Sequence, residues 1–414
     1  MSTRGQILLG VELLNKYTIS NQTVDSLELK CLLVSRGVHV DSAVYRRFRD
    51  EFRLDINPLT CNCIILSDGT IAQMTDTRFH LRYLSGILSW ENLKLMRYAS
   101  ELGTPFTIKL REDRAALFHN REFIDFVTFP PPTAFYKHKT SSGIPFIGNS
   151  VLQGLDWVSF QCLWPCEYAA AGKACQYCFF GAEFQSLAEH GKPQPNALAP
   201  ADVAEITSWA VEQANANSVQ LTGGSTFSGI AESEHIRAYL QAINAIIESG
   251  QLNEIVLYIT PPEDSALIDE YLSLGASRIA CSLEVWDTEL AKEITPGKME
   301  FTTRERHLEV LSYVASKFAP GTAVSNFIIG LEPFDALEAG ARYLSERGII
   351  PTASIWMPMG RPVRGSMKAP DLDYYKRVIE LYADIYRKYK LEPPGQRGLH
   401  VCADRDIWME YCRN

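Results

Sequence analysis

Four cysteines lie within 17 residues near the middle of this 414-residue chain: Cys162, Cys166, Cys175 and Cys178. In a reducing compartment, clustered thiols more often bind metal or carry out redox chemistry than form disulfides. Short spacings of this kind are typical of cysteines that hold an iron–sulfur cluster. A structural zinc site is the second interpretation, and a redox-active pair of thiols is the third.

The segments around these cysteines predict the elements that position them. From about residue 151, six strand-like segments alternate with helical ones. The strands are predicted at 155–161, 218–222, 255–260, 278–285, 323–330 and 352–357. The helices between and after them are predicted at 202–215, 232–248, 264–274, 302–316, 336–347 and 373–388. Repeated strand–helix units imply a parallel sheet with right-handed crossovers, whose active site lies at the carboxyl ends of the strands.

Residues 1–150 show no repeating unit and predict a separate α+β domain. Helices are predicted at 24–36, 42–52 and 89–102, a hairpin at 63–66 and 70–74, and a strand at 106–110. The predicted organisation is therefore an N-terminal domain (1–150), a barrel core (151–370), and a C-terminal helix and tail (371–414).

Residues that can do chemistry stand at the ends of several predicted strands. Gly223 and Gly224 follow the second strand, where glycines let a ligand approach the backbone closely. Glu284 lies in the fourth strand, and period-two alternation places it on one face with Ser282. Cys281 falls on the opposite face, which predicts a packing role for this thiol.

The same alternation predicts which side chains of the third and sixth strands point inward. These are Tyr258, Thr260, Ser354 and Trp356. We expect them to pack the interior of the barrel.

The end of the cysteine cluster resembles the cluster-binding motif of the radical S-adenosylmethionine (radical SAM) superfamily. That motif is Cys-x3-Cys-x2-Cys after the first barrel strand, with an aromatic residue before the last cysteine. Cys175-Gln176-Tyr177-Cys178 matches its end, with Tyr177 in the aromatic position. Eight residues separate Cys166 from Cys175, a longer gap of the kind found in elongator-type tRNA-modifying members. The resemblance implies Cys166, Cys175 and Cys178 as cluster ligands, with Cys162 a rival for the first position.

Two glycine-containing segments extend the resemblance. Gly223-Gly224 stands where the family has Gly-Gly-Glu, with Ser225 in place of the glutamate, and this implies contact with the amino group of S-adenosylmethionine. The segment 326–332, which contains Gly330, is similar to the family segment beside the adenine. The turn at 356–362 is similar to a strand-six turn of biotin synthase relatives that also contacts the adenine.

The fourth strand and the helix after it resemble the biotin synthase and aromatic amino acid lyase branches. In those branches an acidic residue at the position of Glu284 binds the ribose or amine of S-adenosylmethionine. They also carry a turn like the Pro-Gly-Lys at 296–298, followed by a helix with an arginine. The resemblance makes Arg304 and Arg306 candidates for cofactor binding, and a solvated helix face is the alternative for both.

The resemblance implies a partial (β/α)6 TIM-like barrel with an N-terminal α+β domain, a [4Fe–4S] cluster and bound S-adenosylmethionine. The expected reaction is reductive cleavage to a 5′-deoxyadenosyl radical, which abstracts hydrogen from a small organic substrate in cofactor or small-molecule biosynthesis. A low-potential electron donor, such as flavodoxin or ferredoxin, is the implied partner. The alternatives are a radical SAM enzyme that modifies RNA or protein, and a non-catalytic iron–sulfur or zinc protein.

The net charge and the hydropathy of the chain argue against nucleic acid and membrane as binding partners. Lys plus Arg total 40 and Asp plus Glu total 49, a formal charge of −9, whereas nucleic-acid and anionic-membrane binders usually carry a basic surplus. No stretch approaches the roughly 18 apolar residues of a spanning helix, and no secretory signal is evident. We therefore expect a cytoplasmic protein that binds neither nucleic acid nor membrane.

Overall fold

A hairpin and a helix begin the described part of the N-terminal segment. They are β1 (Lys16–Ile19), β2 (Gln22–Asp25) and α1 (Ser26–Arg36). The Asp25 carboxylate accepts a hydrogen bond from the Glu28 backbone N–H, and the Glu28 side chain accepts one from the Asp25 N–H. This capping box stabilises the first turn of α1. The helix predicted from residue 24 therefore starts two residues later, because residues 24 and 25 belong to β2.

The computed structural model describes residues 14–48, 63–73, 103–130, 133–146, 149–153, 156–163, 166–178, 197–357, 368–395 and 401–413. The predicted helix at 89–102, the end of the one at 42–52 and most of the turn at 356–362 lie outside these residues. Among the described residues, no helix is long and apolar enough to cross a membrane.

A four-stranded sheet and a separate hairpin make up the rest of the N-terminal segment. The elements are β3 (His39–Val40), α2 (Ser42–Arg47), β4 (Cys63–Ile65), β5 (Ile71–Gln73), β6 (Phe106–Arg111), β7 (Arg114–His119) and β8 (Glu122–Phe126). The sheet has the order β3-β6-β7-β8, and β4 pairs with β5 in antiparallel fashion. The predicted hairpin and the predicted strand at 106–110 are confirmed, while the domain division at residues 150 and 370 stays a prediction.

Six parallel strands and one antiparallel edge strand form the central sheet. They are β9 (Val151–Gln153), β10 (Trp157–Leu163), β11 (Ser218–Gly223), β12 (Glu254–Tyr258), β13 (Arg278–Ala280), β14 (Ala323–Ile329) and β15 (Ile350–Ile355). Their order is β15-β14-β13-β12-β11-β10-β9, and only β9 runs antiparallel to its neighbour. Because six consecutive strands pair in chain order, the prediction of a partial (β/α)6 barrel is confirmed.

Helices connect and flank these strands. They are α3 (Glu167–Ala170), α4 (Pro200–Ala214), α5 (Ile230–Ala242), α6 (Asn244–Glu248), α7 (Ala266–Ser273), α8 (Thr288–Ile294), α9 (Arg304–Lys317), α10 (Phe334–Ser345), α11 (Leu372–Tyr389) and α12 (Asp404–Tyr411). The single helix predicted at 232–248 divides at Ile243, whose φ and ψ are −94° and 5°. A π-helical turn over Lys298–Thr302 precedes α9, so that helix begins two residues later than predicted.

The two faces of the sheet differ as the alternation predicts. On β11, Val219 and Leu221 are fully buried beneath helices, whereas Gln220 and Thr222 are only half-buried on the inner face. Cys281 is likewise fully buried and shares the outer face of its segment, which confirms its predicted packing role. The inner wall of the barrel is therefore the polar one.

Two predicted strands have different limits. The strand predicted at 278–285 ends at Ala280, and Glu284 makes only an isolated bridge with Phe327, because its φ of 69° is incompatible with a continuous strand. The strand predicted at 155–161 occupies Trp157–Leu163 instead. Cys162 therefore lies inside β10 rather than after it.

The ends of the described chain meet beside the last strand. The backbone N–H of Ile355 donates to Val401, and the N–H of Ala403 donates to Ala353, so this segment lies along β15. At the start of α12, the Asp406 carboxylate lies 2.5 Å from the Lys30 ammonium of α1. The Lys30 side chain is 0% exposed, and its charge is thus balanced by an acidic partner 376 positions away.

Lys30→Met is expected to lower the free energy of unfolding by about 3–5 kcal/mol, because it leaves a buried carboxylate without its cation. Urea unfolding measures this change. Lys16→Met is the matched control, since Lys16 is 63% exposed beside Asp25 and such pairs contribute only about 0–1 kcal/mol. The double variant with Asp406→Leu should recover most of the loss; equal losses in Lys30→Met and the control would contradict the role of the pair.

Candidate functional site

A cavity of about 190 Å³ opens at the carboxyl ends of the parallel strands. Its walls are formed by Cys166, Tyr168, Ala174, Cys175, Tyr177, Cys178, Thr222, Gly223, Gly224, Ser225, Tyr258, Ile259, Thr260, Ala280, Ser282, Glu284 and Lys298. The cavity thus brings together three of the four clustered cysteines, the aromatic residue of their motif, the glycine pair and the predicted acidic residue. Parallel sheets place ligands at this end.

The loop that carries the cysteines is held against the segment between α8 and α9. Gln176 donates its backbone N–H to the Ile294 carbonyl at 2.8 Å, and Gly297 donates to the Lys173 carbonyl at 3.1 Å. A Cβ on Gly297 would lie 2.6 Å from the Tyr168 side chain. Only a glycine fits here, so the predicted Pro-Gly-Lys turn acts as a close packing surface for the cysteine loop.

The glycine pair packs directly on the first cavity cysteine. A Cβ on Gly224 would lie 2.6 Å from the Cα of Cys166, closer than real Cβ contacts. The backbone N–H of Ser225 donates to the Cys166 sulfur at 3.4 Å, and the Ser225 carbonyl accepts from Glu167 at 2.8 Å. Hydrogen bonds to sulfur tune the ligands of metal sites. The carboxyl end of β11 therefore positions the Cys166 thiol.

Cys162 has a different environment from the other three clustered cysteines. It is 3% exposed, belongs to the hydrophobic core and does not line the cavity. Burial, reinforced by the nearby Glu232 carboxylate, raises the pKa of its thiol well above the usual range. Among the described residues, the cysteines that line the cavity are Cys166, Cys175 and Cys178.

Glu284 is the centre of a buried polar network. Its carboxylate accepts hydrogen bonds from Lys298 Nζ at 3.1 Å and from Asn326 Nδ2 at 2.9 Å, and Tyr177 lines the same cavity. Its backbone, at φ 69°, exchanges hydrogen bonds with the carbonyl of Asn326 and the N–H of Ile328. A glutamate in the left-handed region is uncommon, and such strained residues cluster at functional sites.

Lys298 and Asn326 are functional candidates that sequence reasoning missed. Lys298 Nζ also donates to the Ser282 carbonyl at 2.5 Å. Burial is the largest single influence and lowers the pKa of Lys298, but the Glu284 carboxylate and the neighbouring Cys175 and Cys178 together outweigh it, so that this pKa is raised. The sequence feature that could have indicated Lys298 is its place in the Pro-Gly-Lys turn. For Asn326, the feature is a polar side chain on the inner face of its strand, at a position where the family segment has glycine.

Three predicted binding residues lie outside the cavity walls. The Arg304 guanidinium stacks 3.8 Å from the centre of the Trp286 ring and donates to the Trp286 carbonyl. Arg306 donates to the Ser228 carbonyl at 3.1 Å and pairs with a glutamate on the surface. Gly330, at φ 105°, donates its N–H to the Tyr374 hydroxyl at 3.0 Å.

Cysteine thiolates are the ligands of iron–sulfur clusters in proteins, so the three cavity cysteines fit such a group by their chemistry. Among the described residues, no group of three His, Cys, Asp or Glu side chains is placed to hold one metal ion. Burial raises the pKa of Cys175 to about 12, so a metal that binds this thiol displaces its proton.

Glu232 does not line the cavity but holds Thr260, a residue of the cavity wall. Its carboxyl group is 4% exposed and accepts hydrogen bonds from the backbone N–H and the hydroxyl of Thr260, at 2.8 and 3.1 Å. Burial raises its pKa from 4.5 to about 8. The folded state therefore favours the neutral acid. The protonated Glu232 carboxyl therefore contributes to the free energy of unfolding. This contribution is complete below pH 4.5, the pKa of Glu232 in the unfolded state, and is lost progressively as the pH rises to about 8, its pKa in the folded state.

Glu232→Gln is expected to remove that pH dependence. In the parent protein this group lowers the free energy of unfolding by about 1.4 kcal/mol per pH unit within the window. The difference in stability between variant and parent should therefore grow in favour of the variant from pH 5 to pH 7.5, as measured by urea unfolding. Glu234→Gln, an exposed carboxylate on the same helix, is the control. A constant difference for Glu232→Gln would contradict the shift.

Comparison with known proteins gives one curated relative of significant similarity and more distant solved structures. The chain is 25% identical over 267 residues to bacteriochlorophyllide c C-7(1)-hydroxylase of Chlorobaculum limnaeum, covering 61% of this chain and 65% of the hydroxylase. The comparisons confirm the radical SAM resemblance. No family model matches the chain.

Two solved structures also show a distant likeness. SuiB of Streptococcus suis, bound to S-adenosylmethionine, has a TM-score of 0.42 and 14% identity, covering 63% of this chain and 53% of that one. The FeFe-hydrogenase maturase HydG of Carboxydothermus hydrogenoformans has a TM-score of 0.40 and 18% identity, covering 57% and 53%. The chain thus spans about half of each solved chain and less than two thirds of the hydroxylase.

Proposed function

We propose that this chain is a radical SAM enzyme whose Cys166, Cys175 and Cys178 thiolates hold a [4Fe–4S] cluster. When bound, the cluster supplies the electron that cleaves S-adenosylmethionine to methionine and a 5′-deoxyadenosyl radical. The proposal is carried by one observation: these three cysteines share a cavity with the glycine pair and Glu284 at the carboxyl end of the sheet. Cys162 is then a core residue and not a ligand.

The residues around the cysteines have separable roles in this proposal. Gly224 leaves room for the Cys166 backbone, and the Ser225 N–H donates to the Cys166 sulfur. Glu284 is oriented by Lys298 and Asn326 and presents its carboxylate to the cavity. A carboxylate fixed in this way can accept hydrogen bonds from the ribose or the amino group of S-adenosylmethionine. The network thus prepares the cofactor site before the cofactor binds.

We assign Arg304 and Arg306 supporting roles in the same proposal, because both hold backbone carbonyls near the cavity. Arg304 binds the Trp286 carbonyl, two residues after Glu284. Arg306 binds the Ser228 carbonyl in the loop after β11. Gly330 holds the end of β14 through its bond to Tyr374.

The polar side chains on the inner wall of the barrel favour a small organic molecule as the substrate. Tyr258 and Thr260 line the cavity, and Ser354 donates to the Asn326 side-chain carbonyl at 3.0 Å. These hydroxyl and amide groups would offer neutral hydrogen bonds to a substrate bound in the cavity. Similarity to a bacteriochlorophyllide hydroxylase supports small-molecule or cofactor biosynthesis over RNA or protein modification.

Anaerobic reconstitution tests this function. The purified chain is loaded with iron and sulfide, reduced with dithionite and mixed with S-adenosylmethionine, and 5′-deoxyadenosine is measured by chromatography. We expect about four irons per chain and accumulation of 5′-deoxyadenosine that depends on reductant. Zinc in place of iron, or a cluster without cleavage of S-adenosylmethionine, would contradict the proposal.

A further inference from the structure

One ammonium group and one carboxylate line the cavity together with the three cysteines. Among the described residues of the cavity wall, these are the side chains of Lys298 and Glu284. Each side chain is only 11% exposed, and Lys298 Nζ lies 3.1 Å from a Glu284 oxygen. Solvent and salt screen buried charges less than surface charges. The pair is therefore part of the electrostatic surroundings of any group that the three cysteines hold.

The two charges of this pair act unequally on Cys175. Burial is the main reason that the pKa of Cys175 is raised, and the Lys298 ammonium is the largest influence that lowers it. The Glu284 carboxylate acts in the opposite direction, and its effect is smaller. Burial also lowers the pKa of Lys298, whereas Glu284 and then Cys175 raise it. The positive end of the pair therefore acts on the cysteines more strongly than the negative end does.

Hydrogen bonds fix the direction of the Lys298–Glu284 pair. Lys298 Nζ donates to the Ser282 carbonyl at 2.5 Å as well as to Glu284. The Asn326 side chain donates to the second Glu284 oxygen at 2.9 Å. Gly297, directly before the lysine, donates its backbone N–H to the carbonyl of Lys173 in the cysteine loop at 3.1 Å. The ammonium group and the cysteine loop are thus held in one arrangement.

We propose that the Lys298 ammonium raises the reduction potential of the proposed cluster by stabilising its reduced form. The inference rests on the proposed function, because it concerns a cluster held by the three cavity cysteines. The step is the uptake of one electron by the oxidised cluster from an external reductant, which is oxidised, and no bond forms or breaks. The reduced cluster carries one more negative charge, so a buried cation beside its ligands favours this form. Net charge is among the features that set the potentials of iron–sulfur clusters.

A potentiometric titration without S-adenosylmethionine tests the role of Lys298. The full chain is loaded with iron and sulfide in the absence of oxygen and reduced stepwise with dithionite. Visible absorbance and electron paramagnetic resonance measure the fraction of reduced cluster. In Lys298→Met we expect the equilibrium constant for reduction to fall about tenfold, which lowers the potential of a one-electron couple by about 59 mV. Lys298→Arg keeps the positive charge and should restore a potential close to that of the parent.

Glu284→Gln provides a variant with the opposite expected sign. It removes the negative charge of the pair and keeps a side chain of similar size, so the potential should rise. The rise should be smaller than the fall in Lys298→Met, because Glu284 acts on Cys175 more weakly than Lys298 does. A purely structural effect of the two substitutions has no reason to change sign between them.

Lys173→Met is the matched control for the loss of a lysine. Lys173 lies in the cysteine loop, but it is 43% exposed and lies 2.8 Å from Glu300. Since solvent and salt screen an exposed pair, the cluster in Lys173→Met should have the potential of the parent. Together with Lys298→Met, this variant separates the effect of a buried charge from that of a nearby surface charge.

Two results would overturn the inference. One is the same potential in Lys298→Met as in Lys173→Met, and the other is a potential in Glu284→Gln that does not rise. The second result decides the question even if Lys298→Met holds no cluster. A parent chain that binds no cluster refutes the proposed function, and the inference falls with it. A parent cluster that never cleaves S-adenosylmethionine contradicts the proposed function alone, because the potentials are measured without that cofactor.

Discussion

Cys166→Ala is expected to yield a protein that folds but holds no intact iron–sulfur cluster, whereas Cys162→Ala keeps both the cluster and the activity. The reason is position: the Cys166 thiol lines the cavity with Cys175 and Cys178, while Cys162 is 3% exposed in the core. The loss of one of the three proposed ligands should reduce 5′-deoxyadenosine formation by at least about a hundredfold. Iron analysis and visible absorbance measure the cluster, and chromatography measures the product.

The cost of Cys162→Ala should fall on stability instead. Removing a buried sulfur leaves a small cavity, and we expect a loss of about 1–2 kcal/mol in the free energy of unfolding. Cys281→Ala is the matched control, since this thiol is also buried in the hydrophobic core. A normal cluster in Cys166→Ala, together with its loss in Cys162→Ala, would reverse the ligand assignment.

Gly224→Ala is expected to prevent cluster binding although it removes no ligand. The added Cβ would lie 2.6 Å from the Cα of Cys166 and 2.8 Å from its N and Cβ, so the ligand segment must move. The displacement also breaks the Ser225 N–H bond to the Cys166 sulfur. Because metal sites tolerate little error in ligand position, we expect iron content to fall about tenfold or more.

Gly250→Ala separates this effect from the general cost of replacing a glycine. Gly250 has φ 69° and no atom within 4 Å of the added Cβ, so the substitution strains only the backbone, by about 1–2 kcal/mol. Gly250→Ala should lower the free energy of unfolding and leave the iron content of the protein unchanged. Equal iron content in Gly224→Ala and the parent would show that the cysteine segment can shift without losing its ligand geometry.

Local periodicity was sufficient to predict the barrel. Each strand–helix unit carries its own pattern, and strands such as β11 and β14 lie within two residues of their predicted limits. Alternation also predicted which side of the sheet Cys281 and Ser282 face. These predictions succeed because they depend on neighbours in the chain, whose geometry is fixed by the backbone.

Contacts between distant segments could not be predicted in this way. Cys162 was expected to follow its strand, but β10 is shifted by two residues and includes it. Arg304 stacks on Trp286, 18 residues earlier, and this pairing depends on a turn with no periodicity. Glu284 takes a conformation that its residue type disfavours, so no propensity could indicate it. The conformations of these site residues therefore depend on contacts with other segments and not on the residue types of their neighbours in the chain.

The ion pair between Lys30 and Asp406 also has a consequence for synthesis of the chain. At about 5–20 residues per second, a ribosome needs roughly 20–75 s to add the 376 residues that separate the two partners. Throughout that interval the nascent α1 helix carries an ammonium group that its final surroundings bury completely. The packing of α1 around Lys30 therefore stays incomplete until α12 has emerged from the ribosome, and during that interval this part of α1 is open to a chaperone.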